Sequence, residues 1–143
     1  MKLVTLFKKS IKMPPEYVPG KCNIGTRGRA IRLATGVGII AVFTGFDLLA
    51  PGSVSPIFRL FLSLPFYVGL LAVLEGTMSF CVLHASRGTN DLHEPTGMAF
   101  GISGTKMEIQ SGEWKRLDRR KARLMHLEAV LGALLLAGLL ALA

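Results

Sequence analysis

Residues 21–40 read KCNIGTRGRAIRLATGVGII. The stretch begins polar and basic and turns to hydrocarbon with no linker between. Arg27, Arg29 and Arg32 stand at the edge of an apolar run with no charge from Leu33 to Phe46, and Asp47 interrupts it only near its end. The same pattern recurs from Leu60 to Leu74 and from Ala129 to Ala143. Uncharged apolar runs approaching about 20 residues read as membrane-spanning helices. Half the chain is hydrophobic (50%), mean hydropathy is +0.47, and yet the net charge is +8. A soluble domain intersperses such charges with its apolar residues, whereas here the two are segregated. The competing reading is a large soluble helical core, but 143 residues could not cover three such helices. The fold class expected is an all-α integral membrane protein: an antiparallel transmembrane hairpin, a third C-terminal transmembrane helix, and a small irregular or β-hairpin cytoplasmic segment.

The spans set the organisation. Residues 1–21 form a basic N-terminal arm, in which Leu3, Leu6, Phe7 and Ile11 fall at helical spacing among lysines. That suits a short helix lying on an anionic membrane surface, with a solvated basic tail as the alternative. The arm's apolar patch is too short for a secretory signal. Residues 22–88 form the two-helix hairpin. Its first span runs from about Ile31 to Ala50 and stops at Pro51-Gly52; its second runs from about Ile57 to His84 and carries Pro65, which should kink it. Residues 89–124 form the cytoplasmic segment, and residues 125–143 the third span.

Lys and Arg then set the orientation. Lys2, Lys8, Lys9, Lys12, Lys21, Arg27, Arg29 and Arg32 precede or open the first span. Arg59 alone lies between the first and second, and Arg87, Lys106, Lys115, Arg116, Arg119, Arg120, Lys121 and Arg123 lie between the second and third. By the positive-inside rule the N-terminus is cytoplasmic and the C-terminus periplasmic or external. The basic character is thus a topology signal, and its expected partner is a bilayer with anionic headgroups. No recognised nucleic-acid motif accompanies it, so nucleic acid is not expected as a partner.

The motif CNIGTRGRAIRLATG, with Asn23, Gly25, Arg29, Ile31, Arg32 and Gly36, and the later EGTMSFCVLHASRG, with Gly76, Phe80 and Cys81, resemble a family of small two-helix bacterial inner-membrane proteins of uncharacterised function, the YgaP-type membrane domain. The resemblance covers about residues 22–88. It departs at Gly28, where the family usually has Asp, and at Val82, where it usually has Pro. It implies a bacterial cytoplasmic membrane and a helical hairpin, but no reaction. The chain has no rhodanese domain and no CxxC motif.

Read from the residues alone, Asn23 suits a helix cap and Gly25 a turn into the membrane. Arg29 and Arg32 share one helical face. Glu75 lies about 18 residues into the second span, roughly 27 Å across a hydrocarbon core of about 30 Å. It should therefore reach the depth of Arg29 and Arg32, while Asp47 and Arg59 meet at the other end of the hairpin. These five residues are expected to form structural ion pairs. A proton or ion relay at Glu75 is the alternative, weakened by how few other polar groups the spans supply. Gly36, Gly38, Gly45, Gly76, Gly132 and Gly138 are candidate helix-packing positions.

Cys22 and Cys81 both fall near the inner face, in a reducing compartment, so a disulfide is not expected. Cys81 and His84 are spaced to share a helical face and with Cys22 are candidate metal ligands, though not at a zinc spacing. No cofactor is expected; the alternative is a haem or chlorophyll-type pigment on His84 or His126. His93 reads as solvated. Residues 100–117 alternate enough to suggest a β-hairpin or an extended strip, residues 117–127 read as helix running into the third span, and Trp114 suits an interfacial anchor.

The chain has no activated nucleophile, phosphate loop or paired acid and base, so an enzyme is not expected. The leading function is a non-catalytic membrane subunit or scaffold in a larger complex, respiratory or photosynthetic. The alternative is a small transporter or sulfur- or redox-related membrane protein.

Overall fold

A computed structural model describes residues 17–49, 55–92 and 107–142. The surface helix expected within residues 1–16, most of the interhelical loop and the strip around His93, Phe100 and Ile102 lie outside these residues.

Helix α1 spans Thr26–Leu49. Helix α2, Pro56–Phe61, begins at Ser55, whose Oγ accepts the Phe58 N–H at 3.3 Å. Helix α3 spans Ser63–Met78. The break at Leu62 has a local cause: Pro65 has no N–H to give the Phe61 carbonyl one turn back, so the helix breaks before the proline rather than at it. The expectation of one helix from Ile57 to His84 is corrected at its far end. Ser79 adopts a left-handed conformation at φ 57°, Phe80 and Cys81 continue out of the helix, and a separate α4 covers Val82–Arg87.

Strand β1, Thr89–Asn90, pairs antiparallel with β2, Met107–Glu108, placing Thr89 opposite Glu108. The strand partner of residues 107–108 thus precedes the polar segment instead of lying within residues 100–117. Helix α5 then runs unbroken over Gly112–Leu142, starting earlier than the sequence suggested. Ser111 explains the early start, because its Oγ faces the Trp114 N–H at 3.4 Å, and Glu113 suits the positive end of a helix. At 31 residues α5 is about 46 Å long, some 16 Å more than a hydrocarbon core requires. The excess, about 11 residues, falls within its charged first half.

Among the described residues, three helices are long and apolar enough to cross a membrane: Thr26–Leu49, the α2–α3 unit Ile57–Met78, and Gly112–Leu142. Only 17%, 17% and 22% of their apolar windows are buried within the protein. Their remaining surface needs an apolar solvent or a partner.

Helix α3 is central, packing against both α1 and α5. Against α1 the contact is glycine-lined. A Cβ on Gly36 would stand 2.5 Å from the Gly69 carbonyl oxygen, and one on Gly76 would stand 2.9 Å from the Arg29 carbonyl oxygen. Only hydrogen side chains permit that approach. Gly69 is a packing position the sequence reading missed, although it lies one heptad before Gly76. Gly38, Gly45 and Gly138, expected at helix contacts, have no heavy atom within 4 Å of such a Cβ, and Gly132 meets only the flexible end of Leu70. Against α3, α5 instead presents small alanines one turn apart, Ala129, Ala133 and Ala137, all buried. Ala133 and Ala137 pack with Leu62 and Phe66; Ala122 and Met125 pack with Phe80, Val82 and Ala85.

Candidate functional site

The polar chemistry gathers at the two ends of the bundle. At the basic end, Arg32 Nε lies 2.9 Å from Glu75 Oε2, with both side chains about a tenth exposed. The second carboxylate oxygen, Oε1, accepts the Val82 N–H at 2.8 Å, and Arg32 Nη1 donates to the Gly28 carbonyl at 3.2 Å. Glu75 therefore ties α1 to the start of α4 as well as to α3. Arg29, the other expected partner, takes a different one: its Nε donates to the Gly76 carbonyl at 3.2 Å. That carbonyl lies in the last turn of α3, where helix carbonyls lack intrahelical donors.

Asn23 is fully buried and does not cap α1. Its side-chain amide donates to the Cys81 carbonyl at 3.0 Å, and its Oδ1 accepts the Cys81 N–H at 2.6 Å. Its backbone N–H donates to the Ser79 carbonyl at 3.1 Å, and its own carbonyl accepts the Asp91 N–H at 2.9 Å. Asn23 thus satisfies the backbone groups exposed by the Ser79–Cys81 break, which would otherwise be buried without partners. Asn23 and Cys81, two of the residues that carried the family resemblance, meet in this junction.

At the opposite end, Arg59 Nε stands 3.1 Å from the buried Asp47 Oδ1, an ion pair by distance without the alignment of a hydrogen bond. Its Nη1 donates to the Leu140 carbonyl at 2.8 Å. One guanidinium therefore links α1, α2 and the last turn of α5.

A third cluster was not anticipated. Asp118 on α5 is fully buried. Its Oδ2 accepts the Tyr17 hydroxyl at 3.0 Å and its Oδ1 the Gly20 N–H at 2.7 Å. Tyr17 also packs on Trp114, ring centroids 5.9 Å apart. Burial, reinforced by Asp118, pushes the Tyr17 phenol well above its ordinary value. Gly20 turns the chain at φ 70°. Residues 17–22 are thereby clamped to the charged half of α5. In sequence Asp118 sits among Arg and Lys and reads as a surface charge; the only signal was its i, i+4 spacing from Ala122 and Trp114 on an otherwise basic helix. Asp118→Leu removes the acceptor of both the Tyr17 hydroxyl and the Gly20 N–H and should release the arm, at a cost of about 1–3 kcal/mol. Acrylamide quenching of Trp114, the single tryptophan, should rise; unchanged quenching would contradict the clamp.

The thiols are not arranged for chemistry. Burial pushes both up, Glu75 adding to the effect at Cys81, so each is a poorer nucleophile than a free cysteine. Cys81 is extended at the entrance to α4 and not on a helical face with His84. His84 is buried with Nδ1 3.0 Å from Thr89 Oγ1, and His126 Nδ1 lies 2.6 Å from the Tyr67 hydroxyl. A tetrapyrrole metal would have to use Nε2 of either ring. Among the described residues, no three His, Cys, Asp or Glu side chains group as a metal site.

Between α4 and the charged half of α5 lies a groove of about 870 Å³, lined by Val82 and Ser86 on one wall and by Arg116, Leu117, Arg119, Arg120, Arg123 and His126 on the other.

No family model matches this chain, and no curated protein or solved structure does either.

Proposed function

We propose that the chain is a non-catalytic integral membrane subunit that packs laterally against a larger membrane assembly. The observation that carries this reading is how the polar groups within the apolar helices are used. Arg32, Glu75, Asp47 and Arg59 all engage one another or a backbone carbonyl. Transport needs polar groups that face a path and exchange partners; pairs engaged in this way suit a rigid hairpin instead. The raised thiols lend no support to a redox role. The faces left over are apolar, and on α1 they include Gly38 and Gly45, where another backbone could approach closely.

The Lys and Arg distribution supports insertion with the basic end in the cytoplasm and the hairpin end outside. The resemblance to the YgaP-type membrane domain favours a bacterial inner membrane. The test is affinity purification of the full chain from its native membrane in mild detergent, followed by native mass spectrometry. The expected result is a stoichiometric complex that Gly38→Leu/Gly45→Leu abolishes without lowering the melting temperature, since a Cβ at either position has no heavy atom within 4 Å. A chain that always purifies alone overturns the subunit reading. A complex that survives the double substitution moves the contact off α1.

A further inference from the structure

We propose that the groove between α4 and the charged half of α5 is a binding site for the head group of an acidic phospholipid, one that carries two phosphates. It rests on membrane placement of the three helices and not on the partner assembly.

Arg116, Arg119, Arg120 and Arg123 are spaced i, i+3, i+4 and i+7, so all four line one helical face. All are exposed, and among the described residues none has an acidic partner. By contrast, Arg32 and Arg59 within the apolar helices each have a carboxylate, Glu75 and Asp47. Like charges one turn apart repel, and an anion between them turns that repulsion into attraction. Guanidinium forks match phosphate oxygens in pairs.

The groove's position selects a lipid over a soluble anion. Arg123 is the last cation before the third span, and the chain carries no charge after Glu128. The guanidiniums therefore lie where head groups meet hydrocarbon. The lining also carries apolar Val82, Leu117 and Ala122, which suits a glycerol backbone and the first acyl carbons rather than a hydrated ion.

Charge and length select two phosphates. The lining carries four arginines and Glu113, four minus one giving +3. Two phosphates leave +1, and one leaves +2. Arg116/Arg120 and Arg119/Arg123 form two pairs, and the set runs about 10 Å along the axis, enough for two phosphates in line.

The experiment uses the full chain in phosphatidylcholine vesicles doped with phosphatidylglycerol or diphosphatidylglycerol at equal phosphate. Bound lipid is read by native mass spectrometry after mild detergent transfer. The expected result is a one-to-one diphosphatidylglycerol adduct. Arg119→Gln/Arg123→Gln should weaken it about 100-fold or more, the loss of two direct charge-assisted contacts to phosphate. The control Lys21→Gln/Arg27→Gln removes the same charge from residues that do not line the groove and should leave the adduct within about twofold, the remaining long-range attraction being screened by salt. An equal loss in the control means diffuse attraction and overturns the site, as does equal retention of phosphatidylglycerol. Displacement by millimolar inorganic pyrophosphate would make the occupant a soluble anion and overturn the lipid assignment. Alkaline carbonate washing separates the failures: protein that pellets without an adduct refutes the site alone, whereas protein that washes off refutes the membrane placement and the site with it.

Discussion

Glu75→Ala should destabilise the protein by about 3–5 kcal/mol, the cost of removing one partner of a buried ion pair. The size follows from what remains. Arg32 is buried and would keep its charge with only the Gly28 carbonyl to receive it. The Val82 N–H loses its acceptor as well, which loosens the entry to α4. Unfolding by SDS titration in mixed micelles is the measurement. Arg32→Leu/Glu75→Leu should recover much of the loss, because hydrophobic replacement of a whole buried pair is often neutral. A Glu75→Ala protein within about 1 kcal/mol of the parent would mean that water reaches Arg32.

Gly36→Leu should separate the hairpin. Its Cβ would stand 2.5 Å from the Gly69 carbonyl oxygen and 2.7 Å from the Val73 nitrogen, and both obstructions are backbone. Overpacking that side chains can absorb costs about 1–3 kcal/mol; here a helix must move, so the loss should reach or exceed the top of that range. The movement would also pull Arg29 from the Gly76 carbonyl and Arg32 from Glu75. The same titration on Gly38→Leu gives the comparison, since that position opens onto empty space. Equal stability of the two variants would refute the glycine-lined contact.

Periodicity and charge placement sufficed for the three apolar helices, because a run such as Leu33 to Phe46 has few other places to go. They sufficed also to bring Glu75 level with Arg29 and Arg32 and Asp47 level with Arg59, because rise per residue converts sequence position to distance along the helix, but they left open which of the two arginines takes Glu75. Depth says nothing about azimuth. Whether Gly36 or Gly38 faces α3 is a rotation of about 200° around α1, and only packing fixes it. The same limit hid the alanine face of α5 behind its glycines. Residues whose partners lie far along the chain were beyond reach for a second reason. Asn23 looked like a cap because a cap needs only its own helix, while its actual partner, Cys81, is brought near by the break at Ser79. Asp118 drew no notice in sequence, and is a buried acceptor only because residues 17–22 fold back onto α5. Local physical chemistry wrote the helices and the levels of their charges along the bundle into the sequence; the rotation of each helix, and the long-range backbone groups that needed partners, were decided by the assembled fold.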